Sequence, residues 1–352
     1  MLIRTTPFLL LLLVACSSPQ KEIVLEEETV GTAALTNWPQ HLSDHGLFEG
    51  PMRNLAPAAG VVPYELNAPL FSDYALKKRF IRLPKGNRAT YHATEPLEFP
   101  VGTVIVKNFY YPADLREPEQ DLRILETRLL ILGESGWQAL PYVWNKEQTD
   151  AELSIAGSTI PVSWTHTDGE VRKINYLVPG MNQCKNCHMR GDRVAPIGPS
   201  ARQLNKEVDG QNQLVRMAGL GILNGLPAAH GTIPRLAEWE AENSTVNDRA
   251  RSWLEANCAH CHRADAPGKT SGLHLLASES NPAKLGIGKA PIAAGKGSGG
   301  LKFDIVPGKP EQSILVHRIN STDPGVMMPE LGRTMIHKEG VDLITRWIRE
   351  MK

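Results

Sequence analysis

Two short cysteine motifs constrain this 352-residue chain more than any other feature. Residues 184–188 and residues 258–262 both read C-x-x-C-H, the pattern typical of covalent c-type haem attachment. Two thiols one helical turn apart can each add to a vinyl group of the porphyrin, and the adjacent imidazole is then left to ligate the iron. The residues expected to hold two c-type haems are Cys184, Cys187, His188, Cys258, Cys261 and His262.

Three other interpretations of the cysteine pairs account for less of the pattern. A disulfide within each pair explains neither of the histidines that follow. A zinc site built from both pairs usually has them about 15–20 residues apart, and Cys187 and Cys258 are much further apart in the sequence. A thioredoxin-like redox motif needs a βαβ context and would appear once. We therefore expect two covalent haems.

The fifth cysteine, Cys16, follows a short apolar segment at the start of the chain. Arg4 precedes the apolar residues 8–14, which suits a secretory signal and is too short to span a bilayer. The end of this run, Leu-Val-Ala-Cys, resembles the lipobox of bacterial lipoproteins. The resemblance implies a signal peptide over residues 1–15, acylation of Cys16 and an anchoring linker over residues 16–50. The alternative is an ordinary signal peptide with a chance cysteine near its end.

The expected location is therefore the cell envelope, where a lipid would anchor the protein on the periplasmic side of a membrane. Ser17 after the cysteine favours the outer membrane. The charge is balanced, with Lys+Arg 38 against Asp+Glu 38, so nothing indicates a nucleic acid partner. An apolar share of 41% excludes both a disordered chain and a multi-span membrane protein. The expected partners are redox proteins of the envelope.

The last part of the chain, residues 241–352, predicts two helices around the second motif. An Asn/Asp start signal followed by spaced apolar residues predicts a helix over residues 247–257, which leads into Cys258. Apolar residues at three- and four-residue intervals from Val341 to Met351 predict an amphipathic closing helix.

A Met-Met-Pro segment lies between these predicted helices, at residues 327–329. The order of helix, C-x-x-C-H, loops, Met-Pro and closing helix resembles a class I c-type cytochrome. In that family the methionine before the proline is the distal iron ligand. The resemblance implies that Met328 is the sixth ligand of the second haem and that Met327 lies in the pocket wall. The alternatives are that Met327 ligates the iron, or that both methionines only fill the core.

The first motif lies in a segment, residues 181–240, whose sixth iron ligand is less evident. A possible helix over residues 211–223 places Leu214, Met217 and Leu220 on one face, and Met217 is the first candidate. A vacant site is a further option, because open iron binds peroxide or oxygen. The other candidate ligands are Met181, Met189, His92, His166 and His230.

Residues 51–180 are rich in β-branched and aromatic residues that are arranged in short runs separated by turn signals. This pattern of short runs and turns predicts an antiparallel sandwich or barrel. The predicted fold class is therefore α+β and multidomain, with a β domain followed by a mostly α-helical class I cytochrome c-like domain. The predicted strands are residues 79–83, 103–111, 127–132, 142–144, 160–164 and 171–178.

Several stretches, among them residues 64–79 and 328–333, resemble a family of bacterial two-haem cytochromes over almost the whole mature chain. The resemblance implies two haems and a companion domain. Some polar residues of the β domain could form a cluster facing a haem or a partner, or they could be solvated strand ends and ion pairs. These residues are Asp73, Lys77, Arg79, Glu126 and Arg128.

The expected function is electron transfer by two covalently bound haems, the second of which has His/Met ligation. Two alternatives stay open. A di-haem peroxidase or oxidase would need an open sixth position on the first haem. A haem-based sensor or assembly factor would use the β domain to bind a partner.

Overall fold

An antiparallel sheet of six strands dominates the computed structural model, which describes residues 38–292 and 294–352. The predicted signal peptide, Cys16 and most of the predicted linker lie outside the described residues. The strands are β1 (Val61–Pro63), β2 (Leu76–Arg82), β3 (Ala89–Thr90), β4 (Val104–Tyr111), β5 (Arg123–Gly133), β6 (Gly136–Trp144), β7 (Ala151–Leu153), β8 (Gly157–Thr165), β9 (Val171–Pro179), β10 (Met189–Arg190), β11 (Arg193–Val194), β12 (Glu207–Val208), β13 (Gln211–Asn212) and β14 (Leu223–Asn224).

The main sheet has the strand order β1-β2-β4-β5-β6-β7, and its neighbours are joined largely by hairpins. The β5–β6 hairpin turns through Glu134 and Ser135, and Gly136 adopts a positive φ of 103° that a side chain would disfavour. The hairpin of β8 and β9 packs against this sheet. Trp164 and Tyr176 of the hairpin share a buried apolar cluster with Phe109 of β4.

The helices are few, and most of them are short. Within the described residues, only α1, α3, α4 and α7 have seven or more residues. The helices are α1 (Met181–His188), α2 (Ala201–Leu204), α3 (Gln213–Gly219), α4 (Val246–Asn257), α5 (Pro282–Leu285), α6 (Ile314–Ile319) and α7 (Lys338–Glu350). No helix in the described ranges combines the length and apolar character needed to cross a membrane.

The prediction of a mostly α-helical class I cytochrome c-like domain is therefore wrong. Only α4 and α7 fill the stretches of residues 241–352 where the helical spacing of apolar residues is clear. Between them the chain runs mainly through loops and short 3₁₀ turns. Gly286 and Gly299 in this connection have φ values of 93° and 58°, a backbone region that interrupts right-handed helix.

Helices α4 and α7 nevertheless pack against each other through a buried apolar cluster that includes Trp253 and Ile344. Thr245 caps α4, because its side chain accepts a hydrogen bond from the backbone N–H of Asp248. A Cβ at Gly340 of α7 would lie 2.5 Å from the Trp253 indole, so only glycine fits at this contact. By its contacts, Pro39–Lys352 forms one compact unit, in which these helices and the main sheet enclose a common cavity.

Candidate functional site

A cavity lies between the main sheet and the segments that carry both cysteine motifs. Its volume is about 210 Å³. Its wall is largely apolar, with contributions from Leu129 and Leu130 of β5 and Val341 of α7. An apolar wall with a few polar groups is typical of a site for a large organic cofactor.

The first motif occupies helix α1, and Cys184, Cys187 and His188 all line the cavity. The helix can lie close to the preceding loop because its N-cap residue is Gly180. A Cβ at this position would lie 2.8 Å from the carbonyl oxygen of Ala156. Cysteines three residues apart on a helix lie on the same face, so α1 presents both thiols in the way that covalent attachment to one porphyrin requires.

The imidazole of His188 is held through one nitrogen. After the helix, strands β10 and β11 turn the chain back, and the carbonyl oxygen of Ala195 lies 2.8 Å from His188 Nδ1. A carbonyl can only accept, so Nδ1 carries the proton and Nε2 keeps a lone pair for a metal. Burial lowers the pKa of His188 to about 4, so the ring is in its neutral, ligating form at pH 7.

The second motif follows α4 in a tight turn, and its histidine is held in the same manner. The Ser271 hydroxyl donates to the carbonyl oxygen of Gly268 at 2.7 Å and lies 3.0 Å from His262 Nδ1, from which it accepts. Nε2 of His262 is again left for a metal. Burial lowers the pKa of His262 to about 4, and the charge of His260 makes a smaller contribution in the same direction. Cys258 is buried in the apolar cluster of α4 and α7.

The fold brings the two motifs into contact. Ligand atoms of Cys187, His260 and Cys261 all lie within 4.8 Å of one another, and Cys261 Sγ is 3.6 Å from the carbonyl oxygen of Asn186. The neighbouring thiol of Cys261, with a contribution from His260, lowers the pKa of Cys187. The long sequence separation between the motifs is thus no argument against a shared metal site, because folding removes that separation.

A network of four charged side chains joins the two motifs on one side. Arg190 follows the first motif and Arg263 follows the second, and both contact Glu95 and Asp265. The N···O distances are 2.8 and 2.9 Å for Arg190 and 3.1 and 2.7 Å for Arg263. Burial acts to raise the pKa of both carboxyls, but hydrogen bonds and charge from the two arginines outweigh it and lower both pKa values. The network therefore fixes the spacing between the motifs.

Met328 lines the cavity, whereas Met327 is buried outside it and is 9% exposed. Arg333 holds the backbone here, because its guanidinium donates to the carbonyl oxygen of Met328 at 2.8 Å. The loop is further tied to the β region by Asp73, whose carboxylate accepts from the backbone N–H groups of Thr334 and Met335 at 2.7 and 2.8 Å. The thioether is thus carried by a segment that is held from two sides.

Met217, the first candidate for the sixth ligand of the first haem, does not line the cavity. It is 1% exposed and packs in an apolar cluster with Leu214 of the same helix and Tyr64. The structure therefore does not bring Met217 together with the motifs. The other sequence candidates also lie outside the cavity lining; they are Met181, Met189, His92, His166 and His230.

The polar cluster expected in the β region divides into different roles. Arg79 and Arg128 line the cavity. Glu126 is fully buried and pairs with Arg128 at 2.5 Å, and Asp73 is 2% exposed. Lys77 Nζ donates to the carbonyl oxygen of Leu70 at 3.1 Å. These residues are therefore not solvated strand ends.

The polar residues of the cavity wall that sequence analysis did not single out include Lys107, His260 and His337. A signal for Lys107 exists, because it is the one charged residue within the otherwise uncharged strand β4. His260 is one of the two variable residues between Cys258 and Cys261, so the motif itself assigns it no function. His337 Nδ1 accepts from the indole N–H of Trp253 at 3.0 Å, a contact between distant segments that a single sequence does not indicate.

Comparison with known protein-family models, curated proteins and solved structures gives no match to this chain.

Proposed function

We propose that this protein is a di-haem c-type cytochrome that transfers single electrons between redox proteins of the bacterial cell envelope. The observation that carries the proposal is the contact between the two C-x-x-C-H motifs, in which ligand atoms of Cys187, His260 and Cys261 lie within 4.8 Å of one another beside a cavity lined by Cys184, Cys187, His188 and His260. Each haem, when bound, would supply one-electron redox chemistry at its iron.

The residues divide into attachment and ligation. Cys184 and Cys187 would hold the first haem and Cys258 and Cys261 the second, and each motif's own histidine would bind the iron through Nε2. The hydrogen bonds on Nδ1 fix the tautomer and make each imidazole a stronger donor. Met328 would be the sixth ligand of the second haem, and a thioether there favours reduced iron relative to a second imidazole.

The contact between the motifs suits passage of an electron from one haem to the other. Groups bonded to Cys187 and Cys261 would be neighbours, and the ion pairs of Arg190 and Arg263 would keep them so. The apolar cavity wall at the first motif and the apolar cluster around Cys258 at the second would limit water around the two groups, which would reduce the reorganisation that accompanies each change of charge. An acylated Cys16 would keep this assembly on the membrane beside its partners.

The test is the number of haems per chain in protein that is secreted by a host with a c-type maturation system. Intact mass and the pyridine haemochrome spectrum should both give two haems per chain. The Cys184→Ala/Cys187→Ala variant and the Cys258→Ala/Cys261→Ala variant should each keep one. The Cys16→Ser variant is the matched control, which should keep both haems and lose only its place in the membrane fraction.

Two outcomes would overturn the proposal. Colourless protein from that host, with stoichiometric zinc bound by Cys187, His260 and Cys261, would make the cluster a structural metal site. Binding of carbon monoxide or cyanide to one iron, together with substantial peroxide turnover, would instead make the protein a di-haem peroxidase.

A further inference from the structure

Three cationic side chains form a row across the main sheet, on the wall of the cavity. Arg79 of β2 lies directly opposite Lys107 of β4, and Lys107 lies directly opposite Arg128 of β5. Residues that are opposite one another on neighbouring strands project from the same face of a sheet. All three residues line the cavity that both cysteine motifs adjoin.

This arrangement is unfavourable in the absence of an anion. Like charges directly across a sheet repel each other, and burial strengthens the repulsion. Within the described residues, one carboxylate contacts the row, and Glu126 is already engaged by Arg128 at 2.5 Å and by the Tyr176 hydroxyl at 2.6 Å. Burial lowers the pKa of Lys107 well below its usual value, and the charge of Arg79 makes a smaller contribution in the same direction.

Arg79 is the member of the row that most clearly lacks a partner. It is 8% exposed, and one terminal nitrogen of its guanidinium is buried without a hydrogen bond in the part of the chain that the structure describes. A buried guanidinium nitrogen without an acceptor has given up its hydrogen bonds to water without replacement, which is unfavourable. Such a group facing a cavity indicates an acceptor on whatever fills that cavity.

We propose that the Arg79–Lys107–Arg128 row binds the propionate carboxylates of the haem attached to Cys184 and Cys187. This inference rests on the proposed function. Haem propionates are two carboxylates on one edge of the ring, and a guanidinium fork beside an ammonium group suits them. Of the two haems, the one on the first motif is assigned because Cys184, Cys187 and His188 line the same cavity as the row, whereas Cys258, Cys261 and His262 do not line it.

The experiment compares Arg79→Gln with Lys78→Gln in the holoprotein. Lys78 is the adjacent residue on β2 and projects from the opposite face, so its substitution removes one positive charge from the same strand but away from the cavity. The midpoint potential of each haem is measured by EPR-monitored redox titration. The redox-difference infrared spectrum is recorded in the carboxylate region, and Arg79→Lys tests whether charge alone suffices.

We expect Arg79→Gln to retain two haems, to shift the potential of the first haem to a more negative value and to move a carboxylate band. Lys78→Gln should change neither the potential nor the band, and Arg79→Lys should restore the potential in part. If the wild type carries two haems but Arg79→Gln and Lys78→Gln do not differ in potential or carboxylate band, the proposed function is unaffected but this inference is wrong. A saturable shift of the wild-type potential by inorganic phosphate would also overturn it, because the row would then bind a soluble anion. Haem-free wild type would overturn the proposed function as well.

Discussion

Arg190 and Arg263 bind the same pair of carboxylates, Glu95 and Asp265, although 73 positions separate the two arginines in the sequence.

 Arg263 directly follows the second cysteine motif and Arg190 lies two residues after the first, so this shared pair of carboxylates fixes the distance between the motifs. Removing one carboxylate should therefore loosen one motif against the other without unfolding either of them.

The first prediction concerns Glu95. In Glu95→Gln, Arg190 and Arg263 lose one of their two shared acceptors of charge-assisted hydrogen bonds. The magnetic interaction between the two irons in EPR spectra should weaken, while the haem content stays at two per chain. Because the ion pairs are partly exposed, unfolding free energy should fall by no more than about 1 kcal/mol. Glu98→Gln, an exposed neighbour, is the control. An unchanged iron–iron interaction would contradict the role given to Glu95.

The second prediction is the pH dependence of the same network. The pKa values of Glu95 and Asp265 are lowered in the folded protein, so their stabilising effect is complete above their ordinary values of 4.5 and 3.8. It is lost as the pH falls through the lower folded-state pKa values. Unfolding free energy of the wild type should therefore drop more steeply below about pH 4.5 than that of Glu95→Gln. Parallel curves for the two proteins would show that Glu95 does not contribute.

The third prediction tests Met328 as an iron ligand. Met328→Ala should abolish the near-infrared sulfur-to-iron charge-transfer band of the oxidised protein and shift the potential of one haem to a more negative value. Met327→Ala is the matched control, because its side chain is buried outside the cavity and should affect stability without affecting the band. A band that survives in Met328→Ala would remove that residue from the coordination sphere.

The fourth prediction concerns the Ser271 hydroxyl beside His262. Ser271→Ala removes the acceptor on Nδ1, so the imidazole becomes a weaker donor to iron and the oxidised state loses stabilisation. The midpoint potential of the second haem should rise, and that of the first should stay constant. Ser298→Ala, in an exposed loop, should change neither potential. A shift of the first haem's potential instead would contradict the assignment.

The fifth prediction is a stability effect at Asp73. Asp73→Asn keeps the shape and tolerates the positive φ of 51°, but it weakens the hydrogen bonds to Thr334 and Met335. Urea unfolding should show a loss of about 2–3 kcal/mol. Asp114→Asn, which removes an exposed ion pair with Arg116, should cost much less, because solvent screens that pair. Equal losses in the two variants would mean that the contact between Asp73 and the Met328 loop adds nothing to the free energy of unfolding.

The sequence predicted those helices and strands that a local pattern of residues specifies. The apolar spacing before Cys258 and from Val341 onward lies within α4 and α7, and the β-branched runs coincide with strands of the main sheet and of the β8–β9 hairpin. The helical domain was wrongly predicted because the helical pattern of the segments that form α4 and α7 was assumed to hold for the chain between them. That connection consists mainly of loops and contains many glycines.

The arrangement of the candidate site depends on contacts between distant residues, which one sequence does not encode locally. Nothing near Glu95 indicates that it joins Arg190 to Arg263. Lys107 acquires its position opposite Arg79 only through the register of β2 and β4. Met217 has the spacing of a residue on an apolar helix face, and the structure uses that face for core packing.

The burial of Cys258 has a consequence for the biogenesis of the protein. Its side chain lies in the apolar cluster between α4 and α7, and the residue is 8% exposed. An enzyme that joins haem to this thiol cannot reach it once those helices have closed. If the proposed haem is joined to this thiol, attachment must therefore come before the last helix docks, and the chain must stay open until then.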